Sequence, residues 1–164
     1  MRTLFTPWRY AYITRTSPEP GCFFCAAAHT PDEDAERLVV ARGRHHLLML
    51  NRHPYSNGHL MVAPFAHLST LRDAGEEVQR ELWPLVLKAQ SALERAYRPH
   101  GFNLGMNLGT CAGAGVPGHY HFHVVPRWNG DTNFMTVLAD TRLVPEDLET
   151  ARERLRQLLE EEAS

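Results

Sequence analysis

The sequence lacks the features that mark several classes of protein. No apolar run approaches the roughly 20 residues that a membrane-spanning helix needs, and the N-terminal MRTLFTPWRYAYITR has no apolar segment ending in a small-residue cleavage site. The chain also has no large excess of either charge, because 17 basic and 19 acidic residues leave a formal net charge of −2. We therefore expect a cytoplasmic protein that neither enters a membrane nor binds nucleic acid through a broad basic surface.

Cysteine is scarce as well, with 3 residues in a chain of 164. An odd count in a chain without a secretion signal favours free thiols or metal-bound thiolates over disulfides. The length is that of one ordinary domain, and the content of 43% hydrophobic and 22% charged residues is typical of globular proteins. The sequence thus predicts a single domain over residues 1–164.

Histidine, in contrast, is abundant, with 10 residues. Three of them alternate with apolar residues in GHYHFHVV, residues 118–125: His119, His121 and His123. Alternate side chains of a strand point to the same face, so the three imidazoles are expected on one face and the apolar side chains on the other. One face of the strand would then present reactive imidazoles, while the other face would pack in the hydrophobic core.

Hydrophobic spacing predicts an α+β domain with a mainly antiparallel sheet. The strand candidates are RLVVAR and HHLLMLN about a turn at Gly43, HLMVAPF, FNLGMNLG (102–109), HYHFHVVP (119–126) and a last segment, FMTVLA (134–139). Apolar residues at helical spacing predict one long central helix over about 73–98, with Pro84 as a kink and Trp83 on the core side. PEDLETARERLRQLLEEE predicts an amphipathic C-terminal helix over about 145–162.

The C-x-x-C pair of Cys22 and Cys25 would allow two thiolates from one turn to bind a single Zn²⁺. A buried or redox-active thiol pair is the alternative, although no βαβ pattern supports a thioredoxin-like motif. A tetrahedral site needs two further ligands, for which His67 and His119 are the candidates. The preferred interpretation is a structural Cys₂His₂ zinc site, while Cys111 is expected to be a small buried side chain.

The histidine triple itself allows three interpretations. It could be a solvated strand face, or a catalytic tri-histidine zinc centre; in the latter case a further ligand must come from elsewhere, because neighbouring same-face residues lie about 7 Å apart. In the third interpretation His119 joins the cysteines. His121 and His123 then remain free beside a phosphate-binding loop, and one of them is a nucleophile.

The loop GTCAGAGVPG, residues 109–118, favours that third interpretation. Its small residues would let backbone N–H groups approach an anion, with Gly113 and Gly115 as the candidates, whereas a plain flexible connection is the alternative. Gly113, Gly115 and Gly118 also match G-x-G-x-x-G. A dinucleotide fingerprint would open a helix, however, and the residues that follow alternate as a strand.

These motifs resemble a known family. HYHFHVV resembles the His-φ-His-φ-His-φ-φ motif of the histidine-triad (HIT) family, and LNRHPYSNGHLMVAP resembles its strand and turn ending in Gly-His. LFTPWRYAYI, FNLGMNLGTCAGAG and HFHVVPRWNGDTNFM are similar to the bacterial branch of diadenosine tetraphosphate (Ap4A) phosphorylases and hydrolases. The resemblance covers about residues 4–140. It implies a HIT-like fold with a five-stranded antiparallel sheet, and commonly a homodimer whose two sheets join.

The resemblance also implies roles for individual residues. His121 would be the nucleophile that takes up AMP, while His123 and His59 would assist and contact the α-phosphate. Asn51 falls where the family holds the ribose, and Asn107 where a polar side chain contacts the ligand. The expected ligands are Ap4A, AMP, ADP and ATP, with water or inorganic phosphate as the acceptor.

In zinc-bearing members of the family, four ligands correspond to Cys22, Cys25, His67 and His119. One departure concerns Gly115, which stands where many relatives carry a serine or glutamine that assists the leaving group. Backbone N–H groups, His123 or a tightly bound polyphosphate would have to substitute. Two functions compete with the enzyme: a non-catalytic, zinc-stabilised nucleotide-binding module, and a metalloenzyme centred on the histidine triple.

Overall fold

The protein is described by a computed structural model that covers residues 21–131 and 146–162. Two sequence features fall outside these described residues: the segment LFTPWRYAYI and the predicted last strand FMTVLA. Over the described ranges, none of the helices combines the length and apolar character needed to cross a membrane.

Five strands of the described residues form one antiparallel sheet, which confirms the predicted α+β fold class. The strands are β1 (Val39–Arg42), β2 (His46–Leu50), β3 (Leu60–Pro64), β4 (Gly101–Gly105) and β5 (Phe122–Arg127). They lie in the order β1-β2-β3-β5-β4, so the strand that follows the glycine loop is inserted beside β3 rather than at an edge. This topology brings the histidine triple next to the Gly-His segment.

Within residues 21–131 and 146–162, three α-helices accompany the sheet: α1 (Phe23–His29), α2 (Glu76–Tyr97) and α3 (Leu148–Glu161). The long central helix and the C-terminal helix are confirmed, and α2 continues through Pro84. The turn expected at the C-x-x-C pair is the first turn of a helix, because α1 begins directly after Cys22. Two carbonyls in the last turn of this short helix accept hydrogen bonds from the Arg42 guanidinium.

The two faces of the sheet pack against different helices. Leu48 and Leu50 of β2 join the core with α2 and α3, whereas Leu47 and Met49 join the core with Phe24 of α1. This split follows from the side-chain period of two in a strand. The strand therefore has no solvent-facing side, and all five of its residues are buried.

Two strand boundaries differ from the sequence prediction. β4 ends at Gly105, before the loop is reached, and β5 begins only at Phe122. Regular pairing is delayed because the backbone N–H of Tyr120 donates to the Leu68 carbonyl, at 2.7 Å, instead of joining the sheet. The alternation of faces still holds, since Phe122 lies in the α2 core while the His121 ring contacts Phe24.

The turn before β3 gives the first testable prediction, because Gly58 has a positive φ of +72° and no room for a side chain. An added Cβ would lie 2.8 Å from carbons of both Leu93 and Tyr97. We expect Gly58→Ala to lower the melting temperature by roughly 5–15 °C, from left-handed strain of about 1–2 kcal/mol plus overpacking of about 1–3 kcal/mol. Gly101→Ala is the control, since nothing lies within 4 Å there; equal melting temperatures would contradict the prediction.

Candidate functional site

The first part of the site is a cluster of four metal-binding side chains. Donor atoms of Cys22, Cys25, His67 and His119 all lie within 4.8 Å of one another. His119 Nδ1 is 3.3 Å from Cys22 Sγ and 3.6 Å from Cys25 Sγ, and His67 Nδ1 is 3.2 Å from Cys25 Sγ. A tetrahedral zinc with Zn–S of about 2.3 Å and Zn–N of about 2.0 Å separates its S and N donors by about 3.5 Å. The cluster therefore fits a Cys₂His₂ metal site.

The backbone fixes which nitrogen of His119 faces the cysteines. His119 Nε2 lies 2.8 Å from the carbonyl oxygen of Pro64, which can only accept, so Nε2 carries the proton and Nδ1 the lone pair. Metal-bound histidines usually donate their second N–H in this way. Within the described part of the chain no other group of three or more potential ligands converges, so the tri-histidine metal centre is not supported.

The cluster joins three separate parts of the fold. The cysteines flank the start of α1, His67 follows β3, and His119 precedes β5. Gly118 allows the close approach of His67, because a Cβ added there would lie 3.1 Å from His67 Nε2. A metal held here would tie α1 to the middle of the sheet.

The second part of the site is the buried imidazole of His121. Its Nδ1 lies 3.0 Å from the carbonyl oxygen of His119, so Nδ1–H donates and Nε2 carries the lone pair of the neutral ring. Burial lowers the pKa of His121, partly opposed by that hydrogen bond, which favours the neutral form at pH 7. The arrangement leaves an uncharged nitrogen with an oriented lone pair, which is chemically able to act as a nucleophile.

The third part is a pair of hydrogen-bonded histidines, His59 and His123. The backbone N–H of Tyr55 donates to His59 Nδ1 at 3.1 Å, so the proton of a neutral His59 is on Nε2. That nitrogen lies 2.9 Å from His123 Nδ1 and donates to it, which places the proton of a neutral His123 on its own Nε2. Burial and the neighbouring His121 lower the pKa of His123 to about 4. His123 thus presents an N–H donor beside His121, whose ring centroid is 4.8 Å away.

The geometry around His59 bears on its expected contact with the α-phosphate. Both of its ring nitrogens take part in the hydrogen bonds just described. His59 is also fully buried. Its Nε2–H therefore fixes the tautomer of a neutral His123.

Of the predicted nucleotide contacts, Asn51 lies beside His59, with its Nδ2 3.4 Å from His59 Nδ1. Asn51 follows β2, and its side-chain oxygen accepts from the His53 backbone N–H at 2.9 Å. Asn107 Nδ2 is 3.4 Å from the carbonyl of Gly113. The N–H of Gly113 donates within the loop, to the Thr110 carbonyl at 3.0 Å. Gly115 is exposed in the same loop.

Sequence reasoning missed two aromatic residues at this site. The Tyr55 ring lies 4.6 Å from the His59 ring and 5.8 Å from the His123 ring. Phe24 packs against His121, at 4.8 Å between ring centroids. The position of Phe24 inside the C-x-x-C motif was the one available signal, but it became informative only once α1 was known to lie over the histidine triple.

Comparison with known proteins identifies the family. The profile of the HIT domain matches residues 33–130, more than half of the chain. The chain belongs to the HIT family. A protein of Mycobacterium tuberculosis named AP-4-A phosphorylase is 39% identical over 163 residues, covering 94% of this chain and 83% of the relative. The expected resemblance is therefore confirmed.

Two further HIT proteins are similar over different lengths. A bis(5'-nucleosyl)-tetraphosphatase (asymmetrical) of Schizosaccharomyces pombe is 32% identical, over 50% of this chain and 44% of that protein. Among solved structures, a Zn-bound histidine triad family protein from Mycobacterium smegmatis superposes with a TM-score of 0.70 at 28% identity, covering 87% of this chain and 96% of the other. These comparisons confirm the HIT-like fold.

Proposed function

We propose that this HIT protein cleaves Ap4A-like diadenosine polyphosphates at the α-phosphate through an adenylyl-histidine intermediate. The observation that carries the proposal is the neutral imidazole of His121, whose Nε2 lone pair is oriented by the Nδ1–H bond to the His119 carbonyl. The similarity to a protein named AP-4-A phosphorylase supports the choice of substrate. Similarity to an asymmetrical tetraphosphatase supports the same bond as the point of cleavage.

In the first step, His121 Nε2 attacks the α-phosphorus. A P–N bond forms, the P–O bond to the β-phosphate oxygen breaks, and ATP leaves with the bonding electron pair. His123 Nε2–H is placed to stabilise the charge on the phosphoryl oxygens or on the leaving oxygen. This donor supports His123 as the substitute for the serine or glutamine that Gly115 replaces.

In the second step, an acceptor oxygen attacks the same phosphorus and returns the electron pair of the P–N bond to His121. Water as the acceptor gives AMP, whereas inorganic phosphate gives ADP. Asn51 would hold the ribose, and Asn107 with the glycine loop would contact the remaining polar groups of the nucleotide.

Cys22, Cys25, His67 and His119 would hold Zn²⁺ as a structural ion. The donor set, its spacing and the hydrogen bond from His119 Nε2 to Pro64 support zinc. A bound ion would supply a cross-link between α1, β3 and the histidine triple. His121 keeps its Nε2 lone pair outside this cluster, so the nucleophile is not a ligand.

We also propose that the chain forms a homodimer in the cytoplasm. At one edge of the sheet α3 covers β1, where Arg152 donates to the carbonyl of Val39. At the other edge, no described residue pairs with the outer side of β4, and Leu104 is 44% exposed. Light scattering coupled to size exclusion would test the dimer.

Trp83 was expected in the core but is 57% exposed on α2, so the sequence prediction for this residue is wrong.

The products of Ap4A cleavage test the proposed function. With phosphate present, a phosphorylase gives ADP and ATP, while a hydrolase gives AMP and ATP without added phosphate. Chromatography of the reaction with and without phosphate distinguishes the two acceptors. Tight binding of Ap4A with no product under either condition would instead support the non-catalytic nucleotide-binding module.

The pH dependence of kcat/KM is expected to show the lowered pKa of His121. Because that pKa lies below the ordinary histidine value of about 6.5, the attacking neutral form persists as the pH falls through 6.5. We expect the acid-side half-maximum of kcat/KM to lie below pH 6.5. Half-maximal activity on the acid side at or above pH 6.5 would contradict this prediction.

The role of His59 can be tested with two substitutions that each keep one side of its ring. The amide nitrogen of Gln can reach the position of Nε2 and still donate to His123, whereas the oxygen of Asn mimics only the Nδ1 side. We expect His59→Asn to lower kcat on the order of 10²-fold and His59→Gln to retain much more activity. An equal fall of kcat in the two variants, or an effect on KM alone, would show that His59 does not act through its hydrogen bond to His123.

A further inference from the structure

One side chain contacts both the metal cluster and the candidate nucleophile. Phe24 lies between the two cysteines in the sequence, in the first turn of α1, and is fully buried. Its ring centroid is 5.0 Å from that of His119, a cluster ligand, and 4.8 Å from that of His121. Any movement of α1 therefore reaches the His121 ring directly.

The position of α1 depends on what holds its ends. The helix has only seven residues, too few to be stable by itself. At its C-terminal end, the Arg42 guanidinium donates to the carbonyls of Ala27 and Ala28. At its start, α1 is held by the packing of Phe24 in the core with Leu47 and Met49, and by the cluster in which Cys22 and Cys25 meet the two histidines. Metal at the cluster would thus add a second restraint at the end of α1 that carries Phe24.

The His121 ring needs such a support. Its Nδ1–H bond to the His119 carbonyl fixes one ring atom but not the plane of the ring. Two ring contacts limit rotation, with Phe24 at 4.8 Å and with His123 at 4.8 Å. Since attack at phosphorus requires an aligned lone pair, loss of one of these contacts would lower the fraction of correctly oriented rings.

We propose that Phe24 is a positioning residue through which metal bound by Cys22, Cys25, His67 and His119 orients the His121 ring for the nucleotide. Metal binding and nucleotide binding at His121 then stabilise each other. This inference rests on the proposed function only for the identity of the nucleotide. Because coupling between two binding sites is reciprocal, AMP must raise the affinity for zinc by the factor by which zinc raises the affinity for AMP.

The test measures zinc affinity by competition with a chelator, with and without saturating AMP. In the wild-type protein we expect AMP to tighten zinc binding about 5-fold or more. In Phe24→Leu, which keeps an apolar side chain but loses the ring, we expect the ratio of zinc affinities with and without AMP to fall close to one. Phe102→Leu is the matched control, because Phe102 is partly buried against the core on the other face of the sheet, and it should keep the wild-type ratio.

Several outcomes would overturn the proposal. If the wild-type protein binds AMP without any change in zinc affinity, the two sites are not coupled. If Phe24→Leu keeps the wild-type ratio of zinc affinities with and without AMP, the coupling does not pass through Phe24. If Phe24→Leu does not fold, Phe24→Met replaces it as the variant without a ring. With Ap4A as substrate, the positioning role predicts a lower kcat in the Phe24 variant, together with a higher KM because the gain in nucleotide affinity from zinc is lost, whereas an unchanged kcat contradicts it.

A readout without nucleotide separates this proposal from the proposed function. Should AMP fail to bind, the proposed function fails, and the coupling is decided by NMR of the His121 ring protons during stepwise zinc removal. These resonances feel the ring current of Phe24, so they should shift with zinc occupancy, before the circular dichroism signal of the fold is lost. Resonances that move only together with unfolding would overturn the coupling.

Discussion

His121→Gln is expected to lower kcat for Ap4A cleavage by at least about 10³-fold and to abolish formation of the covalent intermediate. Glutamine has similar length and polarity, so the neighbouring hydrogen bonds can be largely retained. Its amide nitrogen has no lone pair available for attack, because that pair is delocalised into the carbonyl. The loss should appear in kcat with little change in nucleotide affinity.

His45→Gln provides the matched control for this prediction. His45 lies in the turn between β1 and β2. Its side chain makes a weak contact with Glu77, at 3.7 Å, and not with the histidine triple. Its substitution should leave kcat unchanged. Substantial turnover by His121→Gln, with normal circular dichroism in both variants, would require another nucleophile.

Removal of the metal is expected to have the second large effect, on stability. Four potential ligands from α1, the end of β3 and the start of the β5 region converge in the cluster, so an ion bound there would close long stretches of chain. The binding free energy of a structural zinc ion is part of the folding free energy. We expect chelation, or Cys22→Ser, to lower the melting temperature by roughly 10 °C or more, at about 2–4 °C per kcal/mol for a chain of this size.

Cys111→Ser is the control for the cysteine substitution. Cys111 was predicted to be a small buried residue, but it is exposed in the glycine loop and lies outside the cluster. Its substitution should leave both metal content and melting temperature unchanged. If Cys22→Ser kept the wild-type zinc content and melting temperature, the structural metal site would be wrong.

The sequence predicted the sheet well, because alternation is a local signal. In β2, the residues Leu47 to Leu50 point in turn to two different cores, and the run is apolar throughout. The turn at Gly43 and the strands on both sides of it are where the spacing indicated. The cluster of Cys22, Cys25, His67 and His119 was proposed from ligand chemistry and resemblance, and the structure brings these side chains together.

What could not be predicted depends on long-range contacts. α1 is too short for hydrophobic periodicity to be seen, and it is held by Arg42 of β1. The protonation of His123 is set by His59, and that of His59 by a backbone N–H at Tyr55, so no residue type at these positions reveals it. Trp83 has helical spacing consistent with the core, but spacing cannot decide which flank of a 22-residue helix stays uncovered.

The measurement that tests the central claim most directly is covalent trapping. The protein is mixed with Ap4A labelled in its α-phosphates, quenched within the first turnover under alkaline conditions that preserve P–N bonds, and digested for mass spectrometry. We expect the labelled adenylyl group on His121 in the wild-type protein and on no residue in His121→Gln. Rapid turnover with the label on His123, or with no labelled residue at any quench time, would contradict the account.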